Sequence, residues 1–281
     1  MKLFKTSDGI ILNDKDNYFQ IQDTNWDKLV NQDNLYHSLQ GKMSTGLSAM
    51  PKPYVESLLR TKLRAPIGQQ EIWAAGVTYF RSREARIDES KDAGGGDFYD
   101  RVYAADRPEL FFKSTSSRAV GSGDFVNIRK DSTWNVPEPE LTLFLNSSGR
   151  IQGYTIGNDM SSRSIEGENP LYLPQAKIYD RCVALGPCLY IPSSPISLDT
   201  LIHLKISRID YPIFEDSIAL NQMKRGHEEL AKYLFLECSF SCGCYLMTGT
   251  GIVPPNSFTL QKGDEIRITI GPIGTLFNFV S

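Results

Sequence analysis

Glu138 and Glu140 stand two residues apart with Pro139 between them, at the head of an apolar run over residues 141–145. Side chains at i and i+2 of an extended chain share a face, so the two carboxylates converge on one spot. Pro139 holds that geometry by fixing its own φ and pushing Glu138 out of the helical region. Two anions brought together at a strand start are unfavourable unless a cation lies between them. Hard oxygen donors select Mg²⁺, Mn²⁺ or Ca²⁺ over zinc. The competing local reading is a solvated acidic turn after a proline. The downstream turn signal Asn146-Ser147-Ser148-Gly149 tips the balance. Folding the chain about it returns residues 151–157 as a strand and sets Asn158-Asp159 beside Glu138 across the ladder. Glu138, Glu140 and Asp159 then reach one cation.

Other residue types that can do chemistry carry less. Cys238, Cys242 and Cys244 cluster, but they lack paired CxxC spacing and a fourth ligand, so they read as buried small apolar groups. All five cysteines are expected to be reduced thiols. Thr248-Gly249-Thr250-Gly251 puts hydroxyls in a glycine-rich turn able to bind an anion through backbone N–H groups. It is not a P-loop, because no Gly-Lys-Ser/Thr follows. Glu166 and Glu168 repeat the i, i+2 spacing around a flexible Gly167 and read as structural loop residues.

The elements that must position the three carboxylates are mostly strands. Residues 1–65 read as a small N-terminal unit, with strands over 1–4 and 9–12, a helix carrying Leu29, Val30 and Leu35, and a helix near 55–59 opened by Pro51 and Pro53. Residues 72–77 read as a buried strand, 81–91 as a charged helix, and 93–97, with three consecutive glycines, as a loop able to close over a site or simply to connect. Further strands are predicted over 107–113, 184–191, 201–209 and 264–270, the last taken as terminal, with partial helix over 216–236. The predicted class is α+β, a strand-rich catalytic domain over 69–281 behind a small α/β domain over 1–68. Length, 41% hydrophobic and 22% charged residues fit a globular protein with ample core. A net charge of −3 gives no support for a nucleic-acid partner. No apolar run reaches the roughly 20 residues that span a bilayer, so no membrane partner is expected. Met1-Lys2-Leu3-Phe4-Lys5 lacks a signal-peptide core, which makes the cytoplasm the expected location.

Taken together, Glu138-x-Glu140, Gly157-Asn158-Asp159-x-Ser161-x-Arg163, Gln175-Ala176-Lys177, Leu185-Gly186-Pro187 and Thr248-Gly249-Thr250 resemble the fumarylacetoacetate hydrolase family from about Glu71 to the end of the chain. The resemblance implies a divalent cation, usually Mg²⁺ with Mn²⁺ or Ca²⁺ as alternatives, on Glu138, Glu140 and Asp159. It also implies Lys177 and Thr250 against a 2-oxo acid, and a homodimer or homotetramer. One departure matters. Where the family's hydrolases carry a water-activating histidine, this chain has Ser82, and its three histidines, His37, His203 and His227, lie in no matching motif. Residues 76–83, 99–103, 107–113 and 166–172 instead resemble the family's dehydratase branch, which acts on 2-keto-3-deoxy-pentonates such as 2-dehydro-3-deoxy-D-arabinonate and forms 2,5-dioxopentanoate in non-phosphorylative pentose catabolism.

That resemblance implies Glu109 as the acid/base, Lys177 as a substrate ligand or proton shuttle, Arg81 and Ser82 at the hydroxyl end of the substrate, and Gly249 and Thr250 at its carboxylate. Local sequence offers plainer roles for each. Glu109 can be a strand-end glutamate facing Arg107 or Lys113, Lys177 a surface lysine, Ser82 a helix cap, and residues 249–250 a tight turn. Arg163 is expected to pair with a site carboxylate. Two other functions stay open: a hydrolase cleaving a C–C bond in an acylpyruvate-type substrate with Glu84 or Glu109 as base, and a sugar-acid binding protein without turnover.

Overall fold

The computed structural model describes residues 1–22, 25–82 and 101–281. Most of the predicted charged helix over 81–91 and the whole triglycine segment over 93–97 lie outside the described residues. The strand Asn135–Leu145 is buried at all of its positions because sheet neighbours flank it and side chains cover both of its faces. An antiparallel partner, Ile151–Ser162, lies on one side and Cys244–Met247 on the other. The sheet continues through Val183–Tyr190 to Lys2–Thr6, Gly9–Asp14, Asn17–Ile21 and Ser48–Met50 at one edge, and through Glu71–Gly76 to Glu109–Thr115 at the other. A second, five-stranded sheet runs Tyr211–Ala219, Leu201–Arg208, Glu265–Ile270, Gly274–Val280 and Phe125–Val126.

Alternation along Asn135–Leu145 sorts its side chains between two cores. Leu141, Leu143 and Leu145 face the second sheet and pack with Ile202, Leu204 and Ile268. Phe144 belongs to the opposite face, where it packs with Leu3, Trp26, Leu35 and Leu185. Glu138 and Glu140 share that second face, so the carboxylates sit beside the core that the N-terminal segment helps to build. Lys2 pairs with Tyr190 and Leu3 with Leu189, which joins the first strand directly to the central sheet.

Several elements depart from the predicted pattern. The helix expected across Leu29 to Leu35 is two helices, Trp26–Val30, capped by the Asn25 side chain, and Leu35–Ser44. The region over 216–236 holds the end of the strand Tyr211–Ala219 before the helix His227–Phe235. Glu265–Ile270 is not the terminal strand: Gly274–Val280 follows it as a hairpin partner. Its inward positions include Asn278, which breaks the apolar alternation and whose amide N–H groups donate to the Gly121 and Asp124 carbonyls.

Candidate metal centre and active site

The ladder places Glu138 directly opposite Asp159 and Glu140 opposite Gly157. Gly157 is required there, since a Cβ would sit 2.3 Å from Thr142 Oγ1 and 2.6 Å from Met247 Cε. One carboxylate oxygen from each of Glu138, Glu140 and Asp159 lies within 4.8 Å of the others. All three side chains are buried, each 4% exposed or less. Three buried hard anionic donors at that spacing suit an octahedral Mg²⁺ that keeps several waters, and the donor set contains no sulfur or imidazole to favour zinc.

Three cations offset the anions. Arg163, first residue of the helix Arg163–Glu168, donates from Nη2 to Glu138 Oε1 at 2.7 Å, the pairing expected of it. Lys177, last residue of the helix Leu173–Lys177, donates to Glu138 Oε2 at 2.7 Å, Asp159 Oδ2 at 3.2 Å and Ser161 Oγ at 2.6 Å. It is 1% exposed and is therefore no surface lysine. The third cation, Lys113, was missed by sequence reasoning, which treated it as the polar end of a strand; its Nζ lies 2.5 Å from Asp159 Oδ1. Glu140 has no such ion pair among the described residues. Burial pushes its carboxyl well above the usual range, and repulsion from Asp159 and Glu138 adds to the effect. A cation bound among the three carboxylates would relieve that imbalance, which is the fit expected of a real metal site.

The turn after Cys244–Met247 completes the centre. Thr248 N and Oγ1 both donate to Leu141 O, at 3.0 and 2.9 Å, which locks the turn beside Glu140. Gly249 N then donates to Glu140 Oε2 at 2.5 Å. Gly249 has φ +92°, and a Cβ would lie 2.1 Å from Thr78 Oγ1 and 2.9 Å from Ala75 O. Its N–H is thus taken up by Glu140, where sequence reasoning gave it a substrate carboxylate. Thr250 lines the cleft together with Gly76, Val77, Ser82, Phe111 and Lys177. Val77 sits at φ +52°, a left-handed conformation that strains a β-branched residue and recurs at functional sites.

The remaining predicted residues fall differently. Ser82 is 6% exposed, donating to Tyr79 O at 2.7 Å. Arg81 is turned to Asp216 of the second sheet at 2.9 Å, half exposed, and does not line the cleft. Glu109 pairs with Gly76 and shares a strand face with Phe111, whose ring lies 5.7 Å from Lys177 Nζ. Its carboxylate lies across Gly76, where a Cβ would come 2.1 Å from Oε2. None of the three histidines lines the cleft. His203 pairs with Glu215 at 3.0 Å, His37 lies edge-on to Tyr36, and His227 packs near Tyr154.

A buried three-carboxylate centre with two lysines and an arginine, on a strand-rich scaffold, defines a metal-dependent enzyme site for small anionic substrates. The sequence matches the family model for the fumarylacetoacetate (FAA) hydrolase C-terminal domain over residues 72–281, and the chain belongs to that family. It is 49% identical over 219 residues to a probable 2-keto-3-deoxyxylonate dehydratase of Haloferax volcanii, covering 77% of this chain and 74% of that protein. It is 44% identical over 219 residues to the 2-dehydro-3-deoxy-D-arabinonate dehydratase of Saccharolobus solfataricus, covering 76% and 73%. The fold superposes with a TM-score of 0.84 on 2-keto-3-deoxy-D-arabinonate dehydratase complexed with magnesium and 2,5-dioxopentanoate, at 34% identity over 100% of this chain and 99% of that one.

Proposed function

We propose that this chain is a Mg²⁺-dependent hydro-lyase that converts a 2-keto-3-deoxy-pentonate, 2-dehydro-3-deoxy-D-arabinonate, to 2,5-dioxopentanoate and water. One observation carries the choice of dehydration over hydrolysis: the cleft over the carboxylates holds Lys177 and Ser82 and no histidine to activate water. The relatives' names and the magnesium and 2,5-dioxopentanoate in the related structure support the substrate and the metal.

Magnesium held by Glu138, Glu140 and Asp159 supplies charge that polarises a 2-keto group and makes the C3 protons acidic. Glu109, whose carboxylate lies against Gly76 of the cleft lining, takes a C3 proton and returns it to the departing C4 hydroxyl. That step forms the C3–C4 double bond and releases water. Loss of a C5 proton and return of one to C3 leaves an enol, which becomes the C5 aldehyde; the overall change is loss of one water with no redox step. Lys177 binds the keto-acid end and moves protons there, because its ammonium already rests on Glu138 Oε2 and Asp159 Oδ2. Thr250 meets the substrate carboxylate and Ser82 its hydroxyl end. The homodimer or homotetramer expected from the family resemblance is part of this proposal, and light scattering of the purified protein measures it. Among the described residues no helix is long and apolar enough to cross a membrane.

The direct test is product analysis. Purified protein with Mg²⁺ and 2-keto-3-deoxy-D-arabinonate should yield 2,5-dioxopentanoate, trapped as its semicarbazone. No such product, together with cleavage of an acylpyruvate, would replace the dehydratase reading with the hydrolase.

A further inference from the structure

Each carboxylate of the centre has one oxygen met by a cation or N–H other than Lys177. Arg163 Nη2 holds Glu138 Oε1 and Gly249 N holds Glu140 Oε2. Lys113 Nζ faces Asp159 Oδ1 as an ion pair, off the line of a hydrogen bond. The opposite oxygens, Glu138 Oε2 and Asp159 Oδ2, both accept from Lys177 Nζ. Lys113 differs from the other two donors in what else it touches. The same ammonium donates to Met160 O at 3.0 Å and to Lys177 O at 2.5 Å. Lys177 closes its short helix, so that carbonyl is one of the orphans a helix end leaves without an intrahelical partner. A single fully buried cation therefore joins a metal ligand, the next backbone carbonyl of that ligand's own strand and the backbone of the lysine that faces the substrate.

Lys113 reaches this place through a defect in its strand. Trp73 pairs with Phe112 and Ile72 with Ser114, so Lys113 is the extra residue of a β-bulge in Glu109–Thr115. A bulge re-aims the extra side chain and is a device found beside active sites. Burying an ammonium is strongly unfavourable without full compensation, and here an ion pair and two carbonyls provide it.

We propose that Lys113 is a positioning residue: by facing Asp159 Oδ1 it orients that carboxylate for the cation, and it anchors the backbone of Lys177, which couples metal affinity to the placement of the substrate-facing lysine. The proposal rests on Asp159 being a magnesium ligand. Partners that orient metal ligands are worth about 10–100-fold in metal affinity or activity.

Lys113→Met keeps the length and volume and removes the charge. Titration calorimetry with MgCl₂ on chelator-treated, folded Lys113→Met should give a Kd about 10–100-fold weaker than wild type. At saturating Mg²⁺ its kcat should also fall, and that fall should vanish in a Lys177→Met background while the Mg²⁺ defect persists. A wild-type Mg²⁺ Kd in the folded variant overturns the proposal, as does a kcat defect that is undiminished without Lys177. Lys113→Gln, which retains donors in a similar volume, carries the same comparison should the methionine variant not fold; an intermediate Kd supports the proposal and an unchanged one overturns it. Asp159→Asn separates the two readings. If it binds Mg²⁺ as wild type does, the metal assignment fails; if it loses Mg²⁺ while Lys113→Met does not, the role of Lys113 fails alone.

Discussion

Glu140→Gln should strengthen the metal-free fold and weaken the metal site at once. Glu140 is 1% exposed and its oxygens lie within 4.8 Å of those of Glu138 and Asp159. Two unit charges at that distance repel by about 3.5 kcal/mol at an effective dielectric of about 20. Lys177 and its two companion cations cancel much of this, and the carboxyl already tends toward its protonated form. The net relief from a neutral amide should therefore be about 1 kcal/mol, or roughly 2 °C in Tm for a chain of this size. Glutamine keeps the carbonyl that accepts the Gly249 N–H, so the turn is undisturbed. The loss in Mg²⁺ affinity should exceed the effect of an outer-shell partner and reach at least about 100-fold, near 2.7 kcal/mol. Calorimetry with MgCl₂ measures the affinity, and thermal unfolding with and without Mg²⁺ measures the fold. Mg²⁺ at about 100 times Kd should stabilise the wild type by about 2.7 kcal/mol and the variant far less. An unchanged Kd refutes the placement of Glu140 in the metal site. A metal-free Tm several degrees below wild type refutes the account of buried repulsion.

Other outcomes follow from the same geometry. Glu109→Gln should bind Mg²⁺ as wild type does and lose about 10²–10⁴ in kcat; surviving turnover removes Glu109 from the acid/base role. Gly249→Ala forces a Cβ against Thr78 Oγ1 and the Ala75 carbonyl at a positive φ. It should lower stability by about 3 kcal/mol in urea unfolding and weaken Mg²⁺ through Glu140, and a loss under about 0.5 kcal/mol contradicts the close approach. Burial lowers the pKa of His227 below its ordinary 6.5, and its place at the start of the helix His227–Phe235 also disfavours the imidazolium. The unfolded chain then takes up the proton first, so this group's contribution is complete above pH 6.5 and is lost as pH falls below it. His227→Gln should flatten the acid side of a urea-midpoint profile, and a profile parallel to wild type would contradict the burial argument.

The three-carboxylate cluster was legible because it is built from short-range rules. The i, i+2 spacing of Glu138 and Glu140 and one turn before Ile151–Ser162 suffice to bring Asp159 opposite Glu138. The family motifs then pointed to Lys177, which the structure buries against two of these carboxylates. Local pattern was weaker where a polar residue occupies a core position, as Asn278 does in the last strand. The glycine-rich turn was visible, but not the direction of its N–H, which depends on Thr248 binding Leu141 from another strand.

The sequence alone determined three carboxylates on one face of a hairpin and the hard cation they suit, since side-chain alternation and turn chemistry act over a few residues. Tertiary structure alone decided how those carboxylates are held. Lys113 enters the site through a bulge, which leaves no trace in the hydrophobic pattern, and it meets a carbonyl 64 residues away. Arg81 is drawn to Asp216, 135 residues on, because the second sheet offers a charge at that edge. The first strand joins the central sheet at Leu189 and Tyr190, extending the sheet that carries the site. Contacts at such separations are set by the packing of whole sheets, and no local periodicity encodes them.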